Sequence, residues 1–181
     1  MTKIIGLDLS LTSTGVALPD GTTVTIRPRH VDPRGRRLND LAGQLTTLLG
    51  KWTPQVAILE GYAPSGRRFW VSFAYRAEWT GLALTLLQRY RVAVVEVGPG
   101  KLKKYATGRG DADKDQMVAA AHAAGGTPAN DDEADAYLLR AFGRLVIDGH
   151  DLFGQPDDEA RRLHLAGDLW WPTLDELTRA G

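Results

Sequence analysis

The sequence predicts an α/β fold: a mixed sheet, with a three-stranded antiparallel meander followed by parallel strands and helices on both faces. Three observations predict it. The apolar patterning alternates between short runs and helical spacing in the order βββ-α-β-α-β-α-α. A Pro19-Asp20-Gly21 turn joins two short β-prone runs near the start, with Pro setting φ and Gly admitting positive φ. The later apolar runs are separated by helical segments, the pattern that feeds parallel strands.

Taken in order, residues 3–10 read as a strand, followed by Thr14–Leu18 and Thr22–Arg27 as the rest of the meander. Leu38, Leu41, Leu45, Leu48 and Leu49 fall at amphipathic helix spacing over residues 36–50. Val56–Glu60 is a short buried strand entered by Pro54. Helical spacing returns over residues 69–89 through Phe73, Ala77, Thr80, Leu84 and Leu87. Val92–Val97 is continuous and β-branched, which predicts a parallel strand buried on both faces. A short Lys-containing turn follows, then helices near 113–124 and 131–147. The main domain is expected over residues 1–149, with an acidic tail at 150–181 packing on it or extending it. The Trp170-Trp171-Pro172 run reads as an anchor for that tail.

With 181 residues, 43% hydrophobic and 24% charged, the chain has the balance of one globular domain rather than a disordered one. It holds no Cys, which excludes disulfides and thiolate metal sites and fits a reducing compartment. No apolar run approaches the roughly 18 residues of a membrane span, and residues 1–5 lead straight into a strand. The expectation is a soluble, cytoplasmic protein without a membrane partner. Zero net charge hides an asymmetry. Residues 151–181 carry seven acids against three bases, so residues 1–150 carry nineteen bases against fifteen acids. A modestly basic body is compatible with a phosphate-rich partner.

The chemistry is expected from carboxylates. Asp8 lies within an apolar strand, where a carboxylate is costly unless paired or metal-bound, and Glu60 ends another such strand. Asp132 and Asp135 are three apart, on one face of a helix. Asn130 as N-cap with Glu133 three residues on predicts a capping box at that helix start. Singly, each acid has an ordinary reading as a loop contact, a solvated strand end or a partner of the helix dipole. Jointly they can converge at one sheet edge, where their repulsion would require divalent cations. Oxygen donors without Cys or His in the motifs point to Mg²⁺, with Mn²⁺ able to substitute.

Gly6-Leu7-Asp8 with Thr14-Gly15, Leu59-Glu60-Gly61, the run from Leu102 to Gln116 and Asp132-Glu133-Ala134-Asp135-Ala136 together resemble the RuvC-type Holliday junction resolvases. The run is the most specific part: a Lys-containing turn, Gly108-Arg109-Gly110, then Ala112-Asp113-Lys114-Asp115-Gln116 opening a helix. The resemblance covers roughly residues 3–146. It departs at Leu9-Ser10, where the family often has Pro-Gly, and in the segment after Glu60. It implies an RNase H-like fold and a homodimer that cuts four-way DNA junctions with symmetric nicks, leaving 5′-phosphate and 3′-hydroxyl ends. On the matching positions it implies Asp8, Glu60, Asp132 and Asp135 as metal ligands for two ions per site, and Lys103 and Lys114 as active-site lysines. No small-molecule cofactor is implied. The richness in Ala, Gly and Arg fits a GC-rich source, actinobacterial or bacteriophage, acting in a bacterial or infected-host cytoplasm.

Between Glu60 and the next helix, Tyr62, Arg67, Arg68, Phe69 and Trp70 interleave cations and aromatics, expected to pair phosphates and stack on a base exposed at an opened junction. Phe69 and Trp70 have a rival reading as the first core residues of the helix. Lys104 and Arg109 are further candidate DNA contacts. Arg27, Arg29, Arg34, Arg36 and Arg37 read as a solvated basic run. The helix at 69–89, with Phe73, Trp79, Leu84 and Leu87, is expected to supply much of a dimer interface. The alternatives are another RNase H-like nuclease acting on flaps or RNA–DNA hybrids, or a junction-binding protein that does not cleave. A sugar kinase/Hsp70/actin-type domain would need a second such domain and a second phosphate loop, which the sequence does not supply.

Overall fold

A computed structural model describes residues 1–29, 34–61 and 69–153, with the side chains of residue 34 and of residues 69–75 left aside. The chain runs β1 (Ile4–Asp8), β2 (Thr14–Ala17), β3 (Thr23–Ile26), α1 (Arg34–Trp52), β4 (Val56–Glu60), α2 (Phe69–Arg89), β5 (Ala93–Val97), α3 (Pro99–Thr107), α4 (Lys114–Ala123) and α5 (Asp131–Asp148). The five strands form one sheet in the order β3-β2-β1-β4-β5. The first three pair antiparallel, while β4 lies parallel to both β1 and β5. The expected mixed sheet is therefore present.

Two hydrophobic cores sit on its two faces. Ile5, Leu7, Val16, Ala57 and Leu59 pack with α1 and α2. Ile4, Ala17, Val56, Ile58 and Val95 pack with α3, α4 and α5. Neighbouring strand residues fall into opposite clusters because successive side chains alternate across a sheet. The glycines of β1 and β2 decide how closely α5 approaches. A Cβ on Gly6 would stand 2.0 Å from the Ala136 carbonyl oxygen, and one on Gly15 would stand 1.9 Å from that of Asp132. Only residues without a side chain let the helix backbone rest on these strands.

Four expectations are corrected. β1 stops at Asp8 rather than running to residue 10, so Asp8 ends the strand instead of lying within it. β5 is an edge strand with Glu96 exposed and Ala93 and Val94 half-buried, because among the described residues no further strand pairs beyond it. The lysine-bearing turn is the helix α3: Pro99 opens it, Leu102 and Tyr105 are its buried pair, and Gly108 closes it in the left-handed conformation at φ 78°. On α2, Trp79 and Leu87 are fully buried in the chain's own core, so they are not available to a second copy. Phe73 lies among the side chains outside the described residues, as do residues 154–181, including Trp170 and Trp171. Among the described residues no helix is long and apolar enough to cross a membrane.

Candidate active site

The parallel register sets Gly6 against Ile58 and Leu7 against Leu59, so Asp8 and Glu60 end adjacent strands side by side. Both sit two residues beyond positions that face α5, and strand alternation turns their carboxylates to that same face. The start of α5 brings Asp132 and Asp135 to them. Its N-cap Asn130 accepts a hydrogen bond from the Glu133 amide at 3.0 Å, while the Gly15 contact holds the Asp132 backbone against β2.

The four acids feel one another. Burial, then the charges of Glu60 and Asp135, push the Asp8 pKa up to about 8; Asp132 adds to the rise and the Arg76 guanidinium opposes it. Burial, then Glu60, Asp131 and Asp132, lift Asp135 to about 6, with the Lys103 ammonium pulling it down. Asp8 and Asp135 are thus carboxylates that resist ionising until positive charge arrives. Among the described residues, no three potential ligand side chains are already drawn to ion-holding distance.

Some of the positive charge comes from a residue that sequence reasoning missed. Arg76 projects from α2, whose core residues lie on the opposite sheet face, and reaches around the strand ends. Its Nη2 stands 3.1 Å from Glu60 Oε2 and 3.5 Å from Asp8 Oδ1, and its Nε donates to the Leu9 carbonyl at 3.1 Å. One turn on, the buried Trp79 indole donates to Thr14 Oγ1 at 2.9 Å. That hydroxyl donates in turn to the Ser10 carbonyl at 2.7 Å, so the turn after Asp8 is pinned to α2.

The predicted lysines both reach the acids' field. Lys114 opens α4 behind a true capping box, Asp113 with Gln116, and pairs with Asp131 beside Asp132. The Asp131 hydrogen bond and charge raise the Lys114 pKa, with smaller contributions from Asp132 and Asp135. Lys103 lies on α3, close enough to influence Asp135. Lys104 is exposed on the same helix, and Arg109 is clamped to Asp111 through two 3.1 Å contacts. Tyr62, Arg67 and Arg68 lie outside the described residues, as do the side chains of Phe69 and Trp70.

Glu133 does not complete the capping box expected of it. Its carboxylate accepts from the Thr23 hydroxyl at 2.7 Å, the Thr25 hydroxyl at 2.6 Å and the Ala129 amide at 2.9 Å. These partners outbid the helix cap because they satisfy a buried carboxylate twice over and tie α5 to β3. Burial would raise its pKa, but the hydrogen bonds outweigh it and hold Glu133 below the ordinary value.

No family profile matches the chain. Among curated proteins, it is 28% identical over 159 residues to the crossover junction endodeoxyribonuclease RuvC of Synechococcus sp. WH7803, covering 78% of this chain and 97% of that one. It is 30% identical over 147 residues to the RuvC of Anaeromyxobacter sp. Fw109-5, covering 74% and 70%. The chain belongs to the RuvC family. Among solved structures it superposes on Thermus thermophilus RuvC with a TM-score of 0.61 at 19% identity, over 76% of this chain and 90% of that one. Against T. thermophilus RuvC in complex with a Holliday junction substrate the TM-score is 0.63 at 16% identity, over 77% and 91%. These likenesses support the RNase H-like sheet and helix arrangement of the RuvC fold.

Proposed function

We propose that this RuvC-family chain is a crossover junction endodeoxyribonuclease, cutting Holliday junctions and other branched DNA by metal-dependent phosphodiester hydrolysis. The observation that carries the reading is the placement of Asp8 and Glu60 on neighbouring strand ends, with α5 adding Asp132 and Asp135 to the same face. The donor set fits the cation: carboxylate oxygens alone, one of them on a buried residue, suit a hard divalent ion. Asp8, Glu60, Asp132 and Asp135 would hold two Mg²⁺ ions, with Mn²⁺ able to replace them. When bound, the ions supply the positive charge that activates water and neutralises the departing 3′ oxygen. Water's oxygen joins phosphorus, the P–O3′ bond breaks, and the ends are a 5′-phosphate and a 3′-hydroxyl.

The chain's own residues do the rest. The strand ends and α5 fix the carboxylates, and Lys114 and Lys103 add positive charge beside the scissile phosphate. Arg67, Arg68, Lys104 and Arg109 pair backbone phosphates, and one of Tyr62, Phe69 or Trp70 stacks on an unpaired base. A four-way junction presents two equivalent strands, so a two-fold dimer places two sites symmetrically. Residues 1–149 form the nuclease domain, the acidic tail 150–181 packs on it or extends it, and the protein works in the cytoplasm.

The test is cleavage of an end-labelled four-way junction beside duplex, flap and RNA–DNA hybrid, with Mg²⁺ and with EDTA. Paired nicks at the crossover that need Mg²⁺ and vanish in Asp8→Asn are expected. Preferential cutting of the flap or hybrid overturns the substrate assignment, and cleavage by Asp8→Asn overturns the site.

A further inference from the structure

Arg76 belongs to a helix whose packing side is turned away from the acids, yet its guanidinium ends between them. Three contacts hold it: Nε to the Leu9 carbonyl, and Nη2 shared between Glu60 and Asp8. A single nitrogen facing one oxygen of each strand carboxylate puts positive charge between the two residues that would hold the ion. A guanidinium does not lose its proton in proteins, so this charge leaves the carboxylates only by moving. Its side chain is 38% exposed, against 11% for Asp8 and 17% for Glu60, so it has open space on its outer side. The Nε bond to Leu9 gives a pivot about which the outer nitrogens can turn away while the base of the side chain stays.

We propose that Arg76 is a resident counter-cation: it holds Asp8 and Glu60 before metal arrives, competes with the divalent ion for them, and so sets the ion concentration at which the site loads. This rests on the reading of Asp8 and Glu60 as metal ligands. It makes Arg76 a positioning residue with two opposed effects. Without metal it relieves the repulsion between the strand carboxylates. With metal it must be displaced, and affinity falls by what its contacts contribute. A site guarded in this way stays vacant at low ion concentrations and fills at higher ones than four bare carboxylates would.

The experiment is Mn²⁺ binding to the full chain without DNA, read from the loss of the free-ion EPR signal and, in parallel, by calorimetry. The variants are Arg76→Met, which keeps the length and removes the charge, Arg76→Lys, and Asp8→Asn as the control. Arg76→Met is expected to bind Mn²⁺ at least tenfold more tightly than the parent. Its metal-free form should melt at a lower temperature and gain more from Mn²⁺. Arg76→Lys, which keeps the charge but not the fork, should fall between the two. Should Arg76→Met not fold, the parent answers instead: the Arg76 Nε–H resonance should shift through a Mg²⁺ titration with the midpoint of the calorimetric curve. Equal Mn²⁺ affinity in Arg76→Met and parent, or a resonance unmoved at saturating Mg²⁺, overturns the competition while leaving the ligand reading intact. Undiminished Mn²⁺ binding by Asp8→Asn overturns the ligand reading, and this inference with it.

Discussion

Replacing Asp8 by Asn should stabilise the metal-free protein while removing its activity. The Asp8 carboxyl has an ordinary pKa of 3.8 in the unfolded chain and about 8 in the folded one. Between those values the native state holds a proton that the unfolded state has released, so stability falls as pH rises through that window. Each unit contributes about 1.4 kcal/mol, which gives a ceiling of about 4 kcal/mol at pH 7. Asn never ionises, so the variant escapes this penalty, less what it loses in its contact with Arg76 and in local relaxation. A net gain of about 2 kcal/mol is expected at pH 7, raising the melting temperature by about 4–8 °C. The gain should shrink toward pH 4, where parent and variant are both neutral at this position, and level off above pH 8. Differential scanning calorimetry in EDTA from pH 5 to 9 measures it. The same scans with Mg²⁺ should stabilise the parent but not the variant. A variant that melts below the parent at every pH, or keeps the parent's response to Mg²⁺, refutes the picture of a buried carboxylate awaiting a cation.

Gly15→Ala places a methyl 1.9 Å from the Asp132 carbonyl oxygen, so the start of α5 must shift. A loss of about 3 kcal/mol in chemical denaturation is expected, together with loss of junction cleavage; an unchanged midpoint would show that the helix yields freely. Trp79→Phe removes the buried bond to Thr14 and should cost about 1–2 kcal/mol by denaturant titration, with slower cleavage because the turn after Asp8 loses its anchor. Lys114→Met should leave stability within about 0.5 kcal/mol, since the side chain is 82% exposed, yet slow single-turnover cleavage at least tenfold. Unchanged cleavage would reduce Lys114 to a partner of Asp131.

The acids were legible in the sequence because an apolar strand that ends in a carboxylate is locally anomalous, as at Leu59-Glu60, and a helical i, i+3 pair is locally recognisable, as at Asp132 and Asp135. Their convergence also follows from strand parity once the β1–β4 register is known. Arg76 was not legible: within a helix of mixed polarity it has no local mark, and its partners lie 16 and 68 positions upstream on other strands. Glu133 misled for a related reason. Asn130 three residues before it is a complete local explanation, while Thr23 and Thr25, its true partners, are more than a hundred residues away. The α3 helix did carry signals, Pro99 at its start and Gly108 at its end, but two further glycines and three lysines gave the segment the composition of a loop. The exposure of Glu96 shows the limit of a continuous apolar run, which marks a strand without saying whether that strand is central or at the edge.

The placement of the four acids also bears on when the protein can act during its own synthesis. Asp8 leaves the ribosome more than a hundred and twenty positions before Asp135, and α5 is the segment whose backbone seats directly on Gly6 and Gly15. No stretch of chain short of α5 contains the complete set, and α5 docks by closing the core around β1. Long-range closure of this kind comes late, as part of the cooperative step that finishes the domain. Chains in which α5 is not yet made or not yet docked therefore lack the assembled carboxylates, and a chain able to break DNA strands has that ability switched on by the completion of its own fold.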